Sequence, residues 1–315
     1  MDTDMRLALQ SEIPGLIEQL QSLDRNIQAF VLPGTDDPGE RVAADALLVS
    51  AAGGTDLPKL VNNCNDLRWV HILGTGVDKF PLHLVKEKLV TCSRGATAAP
   101  IAEWVMAMLL AHEKQLPDSW VTKPPEAWYM ADLGCLENST LGIIGFGAIG
   151  QAIARRALSF DMNVIAKVRT HRSSPVPGVT LIEDLNDLLQ QSDHVVLALP
   201  STPESDGLVG GQAMQAMKPG AHLVNVSRAN LVDQEALREN LDNGHISRAS
   251  LDVVEPEPLP ANHWIYQHPQ VFLSPHISWS GPNMIERLMA PFFANVKAFS
   301  NNQPLQNVVD TTAGY

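Results

Sequence analysis

Residues 140–150 read Thr-Leu-Gly-Ile-Ile-Gly-Phe-Gly-Ala-Ile-Gly, an apolar run that ends in Gly145-x-Gly147-x-x-Gly150. In this spacing Gly145 permits a tight turn, Gly147 lets an anion approach the backbone, and Gly150 lets a helix pack closely on the preceding strand. The unpaired N–H groups of Ala148, Ile149 and Gly150 at the helix start would then face a dinucleotide pyrophosphate. Three further side chains have the types that acid–base and anion chemistry needs: Arg228 in Val-Asn-Val-Ser-Arg, Glu257 in Glu-Pro-Glu-Pro-Leu-Pro, and His276 in Phe-Leu-Ser-Pro-His. A histidine exchanges protons near neutral pH, and the planar fork of an arginine grips a carboxylate. Each alone is ordinary, since an arginine after a strand is usually a surface charge and a histidine after a proline is often only a loop residue.

The elements that position them follow from apolar periodicity. Strands are expected at Leu141–Ile144, Asn163–Val168, His194–Leu199, His222–Val226, Arg248–Val253 and Val271–Leu273. Arg228, Glu257 and His276 then stand just beyond strand ends, where ligands of open α/β sheets bind. Asp233 reads as the N-cap of a helix over Gln234–Asn243, and Gly244 sits where a terminating glycine belongs. The first hundred residues also alternate, with strands at Ile27–Leu32, Ala46–Ser50, Arg68–Leu73 and Leu89–Cys92 and helical spacing over Ile13–Leu23 and Leu57–Asn63. The apolar helix from Ala98 to about Gln115 is expected to be buried between two bodies. A last helix, Pro282–Ser300, would carry the chain back to the first unit. The expectation is therefore an α/β protein. Its Rossmann-type doubly wound parallel sheet (residues 100–285, dinucleotide-binding) is inserted into a smaller flavodoxin-like α/β domain (residues 1–99 and 286–315, substrate-binding).

Composition narrows the class. Of 315 residues, 22 are Lys or Arg and 35 are Asp or Glu, a net charge of −13 that argues against a nucleic-acid or anionic-membrane partner. Cys64, Cys92 and Cys135 are odd in number and form no CxxC pair, which fits a reducing compartment. The start, Met-Asp-Thr-Asp-Met-Arg, lacks a basic segment followed by an apolar core, and no apolar run approaches membrane-spanning length. These features point to a soluble, cytoplasmic protein. His263 and His268 have neither helical nor strand-face spacing for a zinc site, so no metal is expected.

The second strand of such a fold ends at the adenosine ribose, where a carboxylate selects NAD(H) and an arginine accommodates a 2′-phosphate. The expected slot is Val168, followed by Arg169-Thr170-His171-Arg172. Two guanidinium groups and a hydroxyl in one loop favour NADP(H) over NAD(H).

Taken together, these residues resemble the D-isomer-specific 2-hydroxyacid dehydrogenase family. The resemblance is carried by the glycine fingerprint, Leu199-Pro200-x-Thr202-Pro203, Met217-Lys218-Pro219-Gly220, Asn225-Val-Ser-Arg228, Leu231-Val232-Asp233, Leu251-Asp-Val-Val-Glu-Pro-Glu257-Pro-Leu and Ser274-Pro-His276-Ile277. It implies hydride transfer between a nicotinamide and C2 of a small 2-oxo acid, with His276 as acid/base, Glu257 fixing which ring nitrogen faces the substrate, and Arg228 gripping the substrate carboxylate. It places Pro200, Ser227 and Asp252 at the cofactor, although Asp252 reads equally as an ordinary strand-end carboxylate. It also implies that the loop Gly74-Thr75-Gly76-Val77-Asp78 binds the substrate carboxylate through Thr75 and Gly76, and that the protein is a homodimer. The Val-Arg-Thr-x-Arg segment is similar to that of NADPH-dependent glyoxylate and hydroxypyruvate reductases. Two details depart from the commonest pattern. Ala229 replaces a glycine after Arg228, and Ser278-Trp279-Ser280 replaces small residues after the histidine, where Trp279 either narrows the pocket or packs on a partner. Arg94, in Ser93-Arg94-Gly95, is a second candidate anion contact.

Overall fold

Short runs of aliphatic residues, broken by glycine, proline and polar caps, give parallel strands joined by helices. The computed structural model describes residues 4–32, 41–51, 57–170 and 172–315, so His171 lies outside the described residues. The chain divides into two units, Met1–Thr97 with Pro282–Tyr315, and Ala98–Gly281. No described helix is long and apolar enough to cross a membrane.

The first unit holds β1 (Met5–Leu9), β2 (Ile27–Val31), β4 (Ala46–Ser50), β6 (Trp69–Leu73) and β7 (Leu89–Cys92) in the order β2-β1-β4-β6-β7, all parallel. This is the flavodoxin-like order. A pair of two-residue strands, β3 (Val42–Ala43) and β5 (Cys64–Asn65), lies beside it. β1, an interior strand between β2 and β4, is absent from the sequence reading because Arg6 interrupts its apolar run. Arg6 is satisfied by Asp45, which takes its Nε–H at 3.1 Å. Helix α1 begins at Leu16 rather than Ile13, since Pro14 precedes Gly15 at φ +73. Helix α2 spans Leu57–Asn63, and α8 (Met284–Ser300) returns from the far end of the chain. The fully buried Trp69 stacks on Phe292 of α8 and gives its indole N–H to Thr91 at 2.9 Å.

In the second unit seven parallel strands run in the order β10-β9-β8-β11-β12-β13-β14. They are β8 (Thr140–Ile144), β9 (Asn163–Lys167), β10 (Val179–Ile182), β11 (His194–Leu197), β12 (Ala221–Asn225), β13 (Ile246–Leu251) and β14 (Val271–Leu273). Strand order reverses between β8 and β11, the switch point of a doubly wound sheet. Helices α3 (Ala98–Glu113), α4 (Ala148–Leu158), α5 (Leu185–Gln191), α6 (Gly211–Ala216) and α7 (Gln234–Asp242) connect or cover the strands. Asp233 caps α7 by accepting from Glu235 and Ala236, and Asp184 caps α5. Ile101, Ala102, Val105, Met106 and Leu109 of α3 enter the core of this unit beside Ile153 and Ala157 of α4.

Three histidines meet at the N-terminal ends of β11 and β12. In-register pairing sets His194 opposite His222, whose Nδ1 atoms are 3.3 Å apart. His112 of α3 stacks on His222 with ring centroids 4.5 Å apart, and Glu113 Oε1 lies 3.2 Å from His194 Nε2. Burial pushes His112 down to about 4, with His194 and Arg248 adding to the shift and Glu113 opposing it. His222 is likewise held well below its ordinary range, chiefly by burial. His112 and His222 are neutral when folded and take up protons near pH 6.5 when unfolded, so their contribution is complete above about pH 6.5 and is lost as the pH falls toward 4. Thermal melts are expected to show Tm falling by about 5 °C or more between pH 7 and 5. His112→Gln should flatten that slope, whereas a Tm indifferent to pH in wild type would show the histidines to be solvated.

Candidate active site

The C-terminal edge of the seven-stranded sheet begins with the glycine turn after β8. Gly145 has φ +101, and a Cβ there would lie 2.6 Å from the Ala198 backbone. A Cβ on Gly150 would lie 2.2 Å from the Gly145 carbonyl oxygen, so this glycine sets how closely α4 approaches β8. Gly147 differs: a Cβ there would meet nothing within 4 Å. It is the N-cap of α4 and supplies no side-chain cap, so no capping oxygen meets the N–H groups of Ala148, Ile149 and Gly150. A cradle that a methyl would fill, at a helix start without a capping oxygen, fits the pyrophosphate of a dinucleotide.

Beyond β9, Val168 is buried while Arg169, Thr170 and Arg172 are exposed. Glu204, from the loop after β11, feels the charge of Arg169; its carboxyl is held below the usual range first by the Thr202 side chain, with Arg169 a smaller cause. Sequence reasoning had no signal for this neighbour, which lies 35 residues further along (204 − 169). The Ser227 hydroxyl donates to the Leu199 carbonyl, tying the loop after β12 to the one that carries Pro200.

Glu257 and His276 come together. His276 Nδ1 lies 3.0 Å from Glu257 Oε2, while Glu257 Oε1 accepts the Val254 N–H at 3.2 Å. The carboxylate is thus anchored to its own loop and turned to the imidazole, leaving Nε2 for another partner. Arg228 is half-buried beyond β12, and its backbone is set by the buried Asn225, which accepts from the Ser227 N–H and donates to the Arg228 carbonyl at 2.8 Å. Asn225 is a functional-loop residue the sequence reading misses; its signal there is an amide side chain at the end of an apolar strand. Asp252, expected at the cofactor, turns both oxygens to residues 274–278. Its Oδ1 accepts from the Ser274 hydroxyl at 2.5 Å and the Ile277 N–H at 2.8 Å, and its Oδ2 accepts from the Ser278 N–H at 3.0 Å. Trp279 gives its indole N–H to the His276 carbonyl at 2.8 Å.

Thr75 and Gly76 follow β6 in the first unit, in a loop whose Gly74 carbonyl accepts the Ser93 N–H at 2.8 Å. In the same unit, the Arg94 carbonyl accepts from the Asn307 side chain at 3.1 Å. Among the described residues, no group of three His, Cys, Asp or Glu side chains converges as a metal site.

A sheet of this order with this glycine turn is a Rossmann dinucleotide-binding domain. Residues 106–278 match the family model for the NAD binding domain of D-isomer specific 2-hydroxyacid dehydrogenases. A hydroxypyruvate reductase of Blautia hydrogenotrophica is 30% identical over 267 residues, covering 81% of this chain and 83% of that protein. A glyoxylate/hydroxypyruvate reductase B of Pectobacterium atrosepticum is 30% identical over 290 residues, covering 88% and 89%. Among solved structures, a D-isomer specific 2-hydroxyacid dehydrogenase from Xanthobacter autotrophicus Py2, in complex with NADPH and MES, superposes with a TM-score of 0.82 at 25% identity over 99% of this chain and 100% of that one. The chain belongs to the D-isomer specific 2-hydroxyacid dehydrogenase family, oxidoreductases acting on a CH–OH group.

The two helix-start glycines should separate fold from binding. Gly150→Ala forces a methyl against the Gly145 carbonyl and is expected to destabilise by about 2–4 kcal/mol. Gly147→Ala has room and should melt within about 0.5 kcal/mol of wild type while losing dinucleotide affinity in a titration.

Proposed function

We propose that the protein is an NADP(H)-dependent reductase of a small 2-oxo acid of the glyoxylate or hydroxypyruvate type. The observation that carries this reading is the 3.0 Å His276–Glu257 contact at the C-terminal edge of a Rossmann sheet. The names of the Blautia and Pectobacterium relatives support the substrate class, and the NADPH in the Xanthobacter structure supports the cofactor. In this chain the cofactor choice rests on Arg169, Thr170 and Arg172. Their donors are exposed at the end of β9, where a 2′-phosphate is read and where no carboxylate stands in the Val168 slot.

The N–H groups of Ala148, Ile149 and Gly150 hold the pyrophosphate, with Pro200 and Ser227 lining the neighbouring loops. NADPH, when bound, supplies a hydride for the C2 carbon. Arg228 grips the substrate carboxylate and polarises the carbonyl, favouring the negative charge that develops on its oxygen. His276 delivers a proton to that oxygen from Nε2, because Glu257 holds Nδ1 and so fixes which nitrogen is presented. In the oxidative direction the same nitrogen takes the hydroxyl proton.

We also infer that the protein is a homodimer. Trp120, Val121, Trp128, Tyr129, Met130 and Leu133 are all exposed within the single connection between α3 and β8, and Tyr129 is wholly so. So dense an apolar stretch marks an association surface. The double substitution Trp128→Glu with Tyr129→Glu should convert a dimer to a monomer in sedimentation; a wild-type monomer at micromolar concentration would refute the inference.

The first assay is NADPH and NADH oxidation at 340 nm with glyoxylate, hydroxypyruvate, pyruvate and phenylpyruvate. Turnover is expected with NADPH and the two smaller polar acids. Arg169→Ala should raise the NADPH KM by about tenfold, the loss of roughly 1.4 kcal/mol, and spare NADH. His276→Asn should lower kcat by about 10²–10⁴-fold with NADPH affinity unchanged. Retained turnover in that variant would remove the histidine from proton transfer.

A further inference from the structure

Residues 274–280 read Ser-Pro-His-Ile-Ser-Trp-Ser, and within them His276 has φ +57. A residue with a Cβ holds this left-handed conformation only where its surroundings impose it. The surrounding hydrogen bonds do so, and two of them act on one peptide group. The carbonyl of the His276–Ile277 peptide accepts the Trp279 indole N–H at 2.8 Å. The N–H of the same peptide donates to Asp252 Oδ1 at 2.8 Å. Its orientation defines ψ of His276, so rotation of this peptide would break both bonds and release the backbone that carries the imidazole from its one conformation. The flanking groups are tied as well: the His276 N–H donates to the Ser274 carbonyl at 3.0 Å, and the Ser280 N–H donates to the Ile277 carbonyl at 2.9 Å.

The two clamping groups differ in kind. Asp252 is 2% exposed, and its carboxylate also receives Ser274 and Ser278, so it is a buried anchor whose charge is met by three donors from one loop. Trp279 is 41% exposed, so its ring gains less from burial than a core tryptophan does. The placed contribution of this side chain is its single N–H, aimed back along the chain at the residue that pairs with Glu257. Neither group is hydrogen-bonded to the imidazole.

We infer that Trp279 and Asp252 are positioning residues: they lock the His276–Ile277 peptide from its two ends and thereby keep His276 Nδ1 on Glu257 and Nε2 directed to the substrate. The inference rests on the reading of His276 as the proton donor and assigns Trp279 to that step rather than to a pocket wall.

Trp279→Phe keeps an aromatic ring and removes only the donor. The experiment compares it with the wild-type chain, both saturated with NADPH, by ¹⁵N NMR of the histidine side chains, with His276→Gln locating the His276 signals. The spectra are taken at a pH high enough for the ring to be neutral. There the wild-type ring is expected as the Nδ1–H tautomer, whose Nε2 carries the deliverable proton only in the imidazolium, and Trp279→Phe as a mixture containing the Nε2–H form that free imidazole prefers. In parallel, kcat should fall by about 5–50-fold, while the KM of the 2-oxo acid and the NADPH Kd stay within about twofold. Asp252→Asn, checked for folding by its melting transition, should move the tautomer in the same direction. An unchanged tautomer with unchanged kcat in Trp279→Phe would overturn the inference. So would a loss of kcat/KM carried wholly by KM at an unchanged tautomer, which would make Trp279 a pocket wall. A shift in Asp252→Asn alone would remove Trp279 from the clamp. The tautomer is read without turnover, so a shift in a chain that reduces no 2-oxo acid would sink the proposed activity and leave the clamp standing.

Discussion

Every strand of the seven-stranded sheet runs the same way, and the site depends on that single constraint. Parallel strands need a crossover between neighbours, so every loop that leaves a C-terminal strand end emerges at one edge. Gly145 after β8, Arg169 after β9, Pro200 after β11, Arg228 after β12, Glu257 after β13 and His276 after β14 are gathered there although they span 132 residues of chain (276 − 145 = 131 steps). The close approach of α4 to β8 at Gly150 belongs to the same constraint, because it sets where the free N–H groups of the helix point.

What was legible in the sequence was what local chemistry encodes. The glycine spacing, the Asp233 cap and the strand-end positions of Arg228, Glu257 and His276 all follow from residue type and short-range period. What escaped depended on tertiary register. β1 hides because Arg6 looks polar until Asp45 is set beside it. The apolarity of α3 was legible, but α4 as its partner was not. His194 and His222 are unremarkable strand residues until pairing sets them side by side. Asp252 offered two readings in the sequence, and only the folded loop shows its oxygens committed to Ser274, Ile277 and Ser278.

The two edges of this sheet also differ in how they treat polar groups. At the C-terminal edge the N-cap of α4 is a glycine beside open space, with no side-chain cap on the helix start. At the N-terminal edge His194 and His222 are buried among their own contacts, with the His222 ring held by the Ser250 hydroxyl at 2.9 Å. On the proposed reading, polar groups meant for a ligand stay solvated until it arrives, whereas those committed to the fold are desolvated once and stay so. A buried carboxylate such as Asp252 stands between these cases: it is committed to the fold, yet the loop it secures is the one that carries His276.

The packing of α8 on β6 bears on the order in which the chain matures. Trp69 stacks on Phe292, and the two are 223 residues apart (292 − 69). A ribosome adding about 5–20 residues per second takes roughly 10–45 s to cover that interval. During it the segment Ala98–Gly281 is contiguous and complete in itself, so it is free to fold, while the first unit waits with the apolar face formed by Leu16, Leu20 and Trp69 uncovered. The part made first is thus the part finished last, and its unfinished face is what a chaperone would meet on the nascent chain.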